Sequence, residues 1–323
     1  MAVLRTAEPG APRPSRAAGA ASGGSPTPAR NRAGRRSGSL TGWMFVLPFL
    51  VVYALFLVWP TVSGLWMSFF NVSLSGSAGE FVALDNWIEL FGDPAVWSSL
   101  WHTVQFTIIS TPLLVGVGLG MALLTNRAMP ARWLWRLAFF GPFVLPVTTV
   151  TLIFVWLFQP GFGLADTILG WFGIEGIGWL SDPRFAMWSI VLATLWWTVG
   201  FNYLLYLAAL QSIPEHLYEA AAIDGASRWR QLWSITIPML NRTTGLIVVL
   251  QLLASLKVFD QIYLMTSGGP NYATRPIIQY IYDAGFTNYR IGYASAISYF
   301  FFALIILVSV AQFRFTSRQE GKK

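Results

Sequence analysis

The chain has 323 residues, of which 55% are hydrophobic and 11% charged, and its formal net charge is +7. Soluble domains carry about 25% charge, so the composition excludes an ordinary soluble protein and points to a membrane-embedded one. The absence of cysteine removes disulfides and thiolate metal sites. The basic excess follows membrane topology and is not a nucleic-acid footprint.

Residues 1–40 are rich in Ala, Gly, Pro, Ser and Arg and hold no apolar run. They cannot bury enough surface to offset their ordering entropy, so a disordered cytoplasmic tail is expected. A transit peptide and a basic segment for anionic lipid stay open as alternatives. The apolar stretch from Trp43 is too long for the h-region of a cleavable signal peptide.

Six apolar segments follow, at about 43–70, 99–125, 134–158, 187–210, 243–266 and 291–313. Each exceeds the ~20 residues that cross the hydrocarbon core as a helix. The expected fold is therefore all-α and integral to the membrane. Six transmembrane helices fill 41–316, with a short C-terminal tail at 317–323. An even number of spans places both termini on one side.

Lys and Arg choose that side. The tail holds Arg5, Arg13, Arg16, Arg30, Arg32, Arg35 and Arg36. The connectors that share its side add Arg127, Arg132, Arg136, Arg228, Arg230 and Arg242, and the C-terminus adds Arg314, Arg318, Lys322 and Lys323. The opposite side holds Arg184, Arg275 and Arg290. Both termini are thus expected in the cytoplasm. The outer connectors are acidic: Glu80, Asp85, Glu89 and Asp93 in the first, Asp166, Glu175 and Asp182 in the second. They suit an extracytoplasmic partner or plain solvent.

Between the fourth and fifth segments lies a polar, helix-forming stretch, EAAAIDGASRWRQLWSITIP, residues 219–238. Pro214 is expected to open a helix behind a Ser212 cap, and three alanines continue it. Gly225 allows the chain to turn at positive φ. Ser227 can cap a second short helix, and Pro238 begins the next span. The alanines present a flank without bulk, and Glu219 beside it offers a carboxylate to a partner's cation. An ordinary amphipathic interhelical loop is the plain alternative.

The spacing of Glu219-Ala220-Ala221, Gly225 and Ile235-Thr236-Ile237-Pro238 resembles the E-A-A…G…I-x-L-P signature of permease subunits of bacterial binding-protein-dependent ABC importers. Asp224 and Ala226 match its fuller D-G-A form; Ile237 replaces the usual Leu. Three further strings resemble the carbohydrate-uptake type: Thr266-Ser267-Gly268-Gly269-Pro270; Leu84-Asp85-Asn86-Trp87, with Ala83 in place of a glycine; and Gly163-Leu164-Ala165-Asp166, with Asp166 in place of an asparagine. Together they cover the chain from about residue 43 to 314.

The resemblance implies a subunit without catalytic chemistry or cofactor. Its partners would be a second related permease, a cytoplasmic ABC ATPase dimer and an extracytoplasmic solute-binding protein, with lipid around it and a sugar as cargo. Glu219, Ala220, Ala221, Asp224, Gly225, Ile235 and Pro238 would dock the ATPase. Trp197, Thr198, Phe201, Gln251 and Ser255 are implied in the substrate path, with helix packing as their alternative. A polyol, glycerol phosphate or similar solute is the alternative cargo.

Chemistry in the residues agrees with this and opposes an integral-membrane enzyme, the reading from another class. There is no G-x-x-x-x-G-K-S/T loop, so ATP hydrolysis would fall to another subunit. His102 and His216 are the only histidines and lack carboxylate companions at metal-ligand spacing. Lys257 and Asp260, three apart within the fifth segment, are expected to share a helix face as an ion pair or part of an outer gate.

Overall fold

The computed structural model describes residues 37–73, 79–126, 131–174 and 177–320. Residues 1–36 of the expected tail, Arg127, Glu175 and residues 321–323 lie outside them. The chain divides into two units, Met1–Val58 and Trp59–Lys323. The first carries α1 (Ser37–Tyr53) and a π-turn over Ala54–Val58, so helix begins inside the stretch expected to be tail.

The second unit opens with α2 (Trp59–Met67). A hairpin follows, in which β1 (Phe70–Asn71) pairs antiparallel with β2 (Glu80–Phe81). Next come α3 (Asp85–Gly92), the 32-residue α4 (Pro94–Thr125), α5 (Arg132–Val144), α6 (Val147–Leu157), α7 (Leu164–Gly170) and the 29-residue α8 (Pro183–Gln211). The remainder is α9 (Glu215–Ile223), α10 (Arg228–Gln231), α11 (Ile237–Leu256), α12 (Asp260–Thr266), α13 (Ile277–Tyr282) and α14 (Ile291–Glu320).

Among the described residues five helices are long and apolar enough to cross a membrane: Gly42–Met67, Pro94–Thr125, Pro183–Gln211, Arg228–Leu256 and Ile291–Gln312. The third apolar segment, expected as one helix over 134–158, is instead two, Trp133–Val144 and Val147–Leu157, bent by 99°. Counted as one span they make the sixth. The cause is local. Pro146 pushes the residue before it out of the α region, and Leu145 sits at φ −70°, ψ 141°.

The fifth segment also differs. Its helix stops at Leu256, Lys257 caps it, and α12 starts afresh at Asp260. Lys257 and Asp260 therefore do not share a helix; both are exposed, and no ion pair joins them. The break lets Val258, Ile262 and Met265 bury against Phe106 and Ile190. That burial outweighs three further residues of regular helix, and it leaves both charges facing outward.

Packing centres on α8, which lies along α4, α5 and α11. Its buried Tyr203, Tyr206, Leu207 and Leu210 meet Ala122, Leu240 and Ile247 at the α9–α10 end. Its Met187, Ile190 and Val191 meet Phe106 toward the opposite end. Gly200 sets the α5–α8 approach: a Cβ there would stand 2.4 Å from the Phe139 carbonyl oxygen and 2.9 Å from the Phe140 Cα. Small residues at membrane-helix crossings allow such backbone contact. Replacement Gly200→Val is expected to push α5 off α8 and cost about 1–3 kcal/mol. Thermal unfolding of the purified protein would read this, and a wild-type midpoint would refute it.

Candidate functional site: a helical loop, a neutral cavity and a carboxylate clasp

The loop after α8 is a fixed platform. Pro214 is the N-cap of α9 and not its first residue; Ser212 Oγ donates to the Ala209 carbonyl, so it does not cap α9. At the other end Ala226 N–H donates to Ala221 O (2.9 Å) and Gly225 N–H to Ala222 O (3.0 Å). This pair of bonds is a Schellman closure with Gly225 in its left-handed position, φ +73°. A Cβ at Gly225 would touch nothing within 4 Å, so its conformation, not space, demands glycine.

The turn then re-enters helix. Ser227 Oγ accepts from Arg230 N–H at 3.4 Å, as expected of a cap, and Gln231 Nε2 donates to Ala226 O. A π-turn over Leu232–Thr236 follows, closed by Ile237 N–H on Leu232 O. It widens the ladder just ahead of Pro238, which has no N–H to give. Tyr218 and Thr236 share a 2.9 Å hydroxyl hydrogen bond that ties α9 to this turn. Glu219, Ala220, Asp224, Gly225 and Pro238 are exposed, while Ala221 and Ile235 are half-buried. Ile223 is 87% exposed, an apolar residue presented where the loop turns. A cleft of about 710 Å³ lies behind the loop, with Tyr218, Arg228 and Trp229 in its wall.

Farther along α8 and α11 is a cavity of about 330 Å³. All five residues expected in the substrate path line it: Trp197, Thr198 and Phe201 from α8, Gln251 and Ser255 from α11. The sequence reading missed Phe106, Phe143, Thr194, Asn202, Leu250, Ala254 and Gln261, which complete it. A polar chain crosses the wall. Asn202 Nδ2 donates to Gln251 Oε1 (3.2 Å) and Gln251 Nε2 to Ser255 Oγ (3.3 Å). Ser255 Oγ in turn meets Ser110 Oγ (3.1 Å) and accepts from Thr111 Oγ1 (3.5 Å). Three helices, α4, α8 and α11, are thereby joined by neutral groups.

Two aromatic contacts shape the rest. Trp197 Nε1 donates to the Leu145 carbonyl at 3.1 Å, satisfying an acceptor freed by the break before Pro146. Phe201 stacks on Phe143 with ring centroids 5.5 Å apart. A buried amide in an apolar helix was the signal for Gln251; Asn202, 1% exposed, carried the same signal.

The end opposite the loop is held by a carboxylate. Asp93 caps α4 through Ala95 N–H (2.8 Å), and its Oδ2 accepts from the Tyr293 hydroxyl (2.6 Å) and the Tyr280 hydroxyl. Arg290 grips Glu89 with two bonds of 2.5 and 2.6 Å. Asp166 accepts from Trp179 Nε1 (2.6 Å) and Gly161 N–H (3.0 Å), so the residue that departs from the family string has a structural role. Asn86 donates to the Ser68 and Phe70 carbonyls. Ala83, which stands where that string has glycine, holds φ +47°. His102 Nδ1 lies 3.3 Å from the Arg275 carbonyl. Among the described residues no group of three or more His, Cys, Asp and Glu side chains could hold a metal.

Burial alone would raise the Asp93 pKa, but the Tyr280 and Tyr293 hydroxyls, Ala95 N–H and the charge of Arg275 outweigh it and hold it below the ordinary value. Tyr280 is pushed up to about 12 by burial and by the Asp93 carboxylate.

Residues 114–320 match the family described as "Binding-protein-dependent transport system inner membrane component". The chain is 36% identical to the sulfoquinovosyl glycerol transport system permease protein of Agrobacterium fabrum, over 84% of this chain and 88% of that one. It is 33% identical to the trehalose/maltose transport system permease protein of Thermococcus litoralis, over 84% and 94%. In fold it is similar to a chain of a bacterial ABC transporter involved in the import of the acidic polysaccharide alginate. That match has a TM-score of 0.76 at 24% identity, over 87% of this chain and 96% of that one.

Because the folded Asp93 pKa is depressed, its contribution to stability is complete above the ordinary value of 3.8 and is lost as pH falls through the lower folded value. Asp93→Asn cannot ionise, so it is expected to be less stable at neutral pH. It should also lose less stability than wild type on acidification below about pH 4. Acid unfolding followed by tryptophan fluorescence tests this; parallel curves for the two proteins would refute it.

Proposed function

The chain belongs to the inner membrane components of binding-protein-dependent transport systems, and from that premise we propose how its parts divide the work. It is a permease subunit of an ATP-driven importer and not an enzyme. A sugar or sugar-like solute passes from an extracytoplasmic binding protein through the cavity between α4, α5, α8 and α11. An ABC ATPase dimer docks on the loop at Glu219, Ala220, Ala221, Asp224 and Gly225, with Ile235 and Pro238 setting the exit into α11. A second related permease completes the membrane part. Both termini lie in the cytoplasm, in keeping with Arg228, Arg230 and Arg242 at the loop end.

One observation carries this reading: the same two helices own both the loop and the cavity wall. Phe201 is 14 residues before Glu215 and Gln251 is 13 after Pro238, so both cavity residues stand about 20 Å from the loop at ~1.5 Å per residue. That is a mid-depth position for a hydrocarbon core of about 30 Å. Displacing the loop displaces α8 and α11 as rods, and with them Trp197, Thr198, Phe201, Gln251 and Ser255. Solute hydroxyls pair with the amides and hydroxyls there, and pyranose C–H faces lie on the rings.

Two experiments test the two halves. Glu219→Lys reverses the charge offered to the ATPase, and Gly225→Asp puts a side chain on a left-handed position at a cost of about 1–2 kcal/mol. Both variants are expected to insert normally yet lose ATPase co-purification and uptake; normal transport by Glu219→Lys would sink the docking role.

Gln251→Leu is expected to lower uptake about 5- to 150-fold, the equivalent of the 1–3 kcal/mol carried by one hydrogen bond to solute. It also strands the Asn202 amide and lowers thermal stability. Replacing both partners, Asn202→Leu with Gln251→Leu, removes the stranded group and is expected to restore stability but not uptake. Uptake in vesicles that recovers along with stability would assign the two amides to packing.

A further inference from the structure

We infer that the cavity between α4, α5, α8 and α11 admits an uncharged sugar and excludes anionic ones; the inference rests on reading that cavity as the solute path. Among the described residues, the side chains that line it are amides, hydroxyls, aromatic rings and aliphatic groups, and none carries a charge. Lys257 and Asp260, two and five residues after Ser255, are exposed, opposite in sign and absent from the lining. The polar chain Asn202–Gln251–Ser255–Ser110 is neutral from end to end.

The physics separates the two kinds of solute. A sulfonate or phosphate entering this space gives up its hydration and meets no cation, and a buried charge without a counter-charge is among the costliest arrangements in a protein. Arg and Lys are the usual means of repaying that cost. A neutral pyranose gives up only hydroxyl hydration. Gln251, Asn202 and Ser255 can return it bond for bond, since amides and hydroxyls both donate and accept. Trp197 and Phe201 supply flat apolar faces for its C–H groups.

The volume, about 330 Å³, lies at the lower end of the ~300–1,000 Å³ typical of small-ligand sites, which suits a small solute. Overall likeness does not choose between the chemistries, because one relative is named for a sulfonated sugar glycoside and another for trehalose and maltose. The cavity lining does choose.

The test uses the chain assembled with its ATPase and partner permease in nanodiscs. Diazirine derivatives of trehalose and of sulfoquinovosyl glycerol are photolysed with it separately at equal concentration, and adducts are mapped by peptide mass spectrometry. The trehalose probe is expected to label the peptides that hold Trp197–Asn202 and Gln251–Ser255 at least about tenfold more than the sulfonated probe, and unlabelled trehalose should compete.

Equal or stronger labelling by the sulfonated probe overturns the inference and leaves the solute-path reading standing. Failure of both probes to label these peptides overturns the two together. In Gln261→Lys, which sets a cation on the wall, labelling by the sulfonated probe is expected to rise several-fold. No rise in a variant that still takes the trehalose probe would show that charge is not the selector, and would likewise overturn the inference.

Discussion

A single hydrogen bond, from the Trp197 indole to the Leu145 carbonyl, governs the middle of this protein. In a bilayer every backbone acceptor needs a partner inside the protein, and the break at Pro146 leaves the Leu145 carbonyl without its helical donor, because Thr149 N–H bonds the Pro146 carbonyl instead. The Leu145–Pro146 break therefore survives only where a neighbouring helix supplies a donor, and α8 does so from Trp197. The consequences spread outward. The bend by 99° turns α6 away from α5 and leaves Phe143 at the corner, stacked on Phe201. The space beside those rings is the cavity. Gly200 lies between Trp197 and Phe201 in the chain and lets the α5 backbone come close enough for both contacts.

The two ends of the bundle are held by different means. At the loop end the fixings are backbone closures and neutral hydroxyls: the Schellman turn at Gly225, the π-turn before Pro238 and the Tyr218–Thr236 bond. At the opposite end they are charged, with Asp93 gathering α4, α13 and α14, and Glu89 tying α3 to the residue just before α14 through Arg290. Charge-assisted bonds are about twice as strong as neutral ones. The loop end thus joins α8 to α11, while the clasp joins α3, α13 and α14 to the start of α4. The cavity lies apart from the clasp helices α3, α13 and α14, lined by α4, α5, α8, α11 and α12.

The apolar segments and the helical loop at 219–238 were legible in the sequence because each rests on short-range pattern, while the grouping of Trp197, Thr198, Phe201, Gln251 and Ser255 along one cavity followed from the family resemblance. Six runs of suitable length need only counting, and the glycine of the loop is fixed by its own backbone. What was not legible depends on neighbours. The Pro146 break reads as a continuous apolar run, because Val147 and its successors are as apolar as what precedes. Lys257 and Asp260 satisfy the spacing of a helical pair, but burial of Val258 and Ile262 ends the helix between them. Asn202 carried the same buried-amide signal as Gln251, but that the two amides pair, 49 positions apart, comes only from the packing of α8 on α11. An acidic outer connector suggests a surface for a partner, yet Glu89, Asp93 and Asp166 spend their oxygens on Arg290, on two tyrosines and on Trp179.

The character of the cavity follows from which bonds hold its walls. The Ser110–Ser255 and Thr111–Ser255 contacts, at 3.1 and 3.5 Å, and the two amide bonds at 3.2 and 3.3 Å are neutral and long for their kind. A neutral hydrogen bond nets only about 1 kcal/mol, so a hydroxyl-bearing solute can replace one of these contacts with another of nearly equal worth. An ion pair in the same position could not be exchanged this way, because opening it would strand a charge between the helices. Walls joined by neutral, mutually replaceable groups can part and rejoin at little net cost. That is the physical advantage of keeping Lys257 and Asp260 exposed and out of the lining.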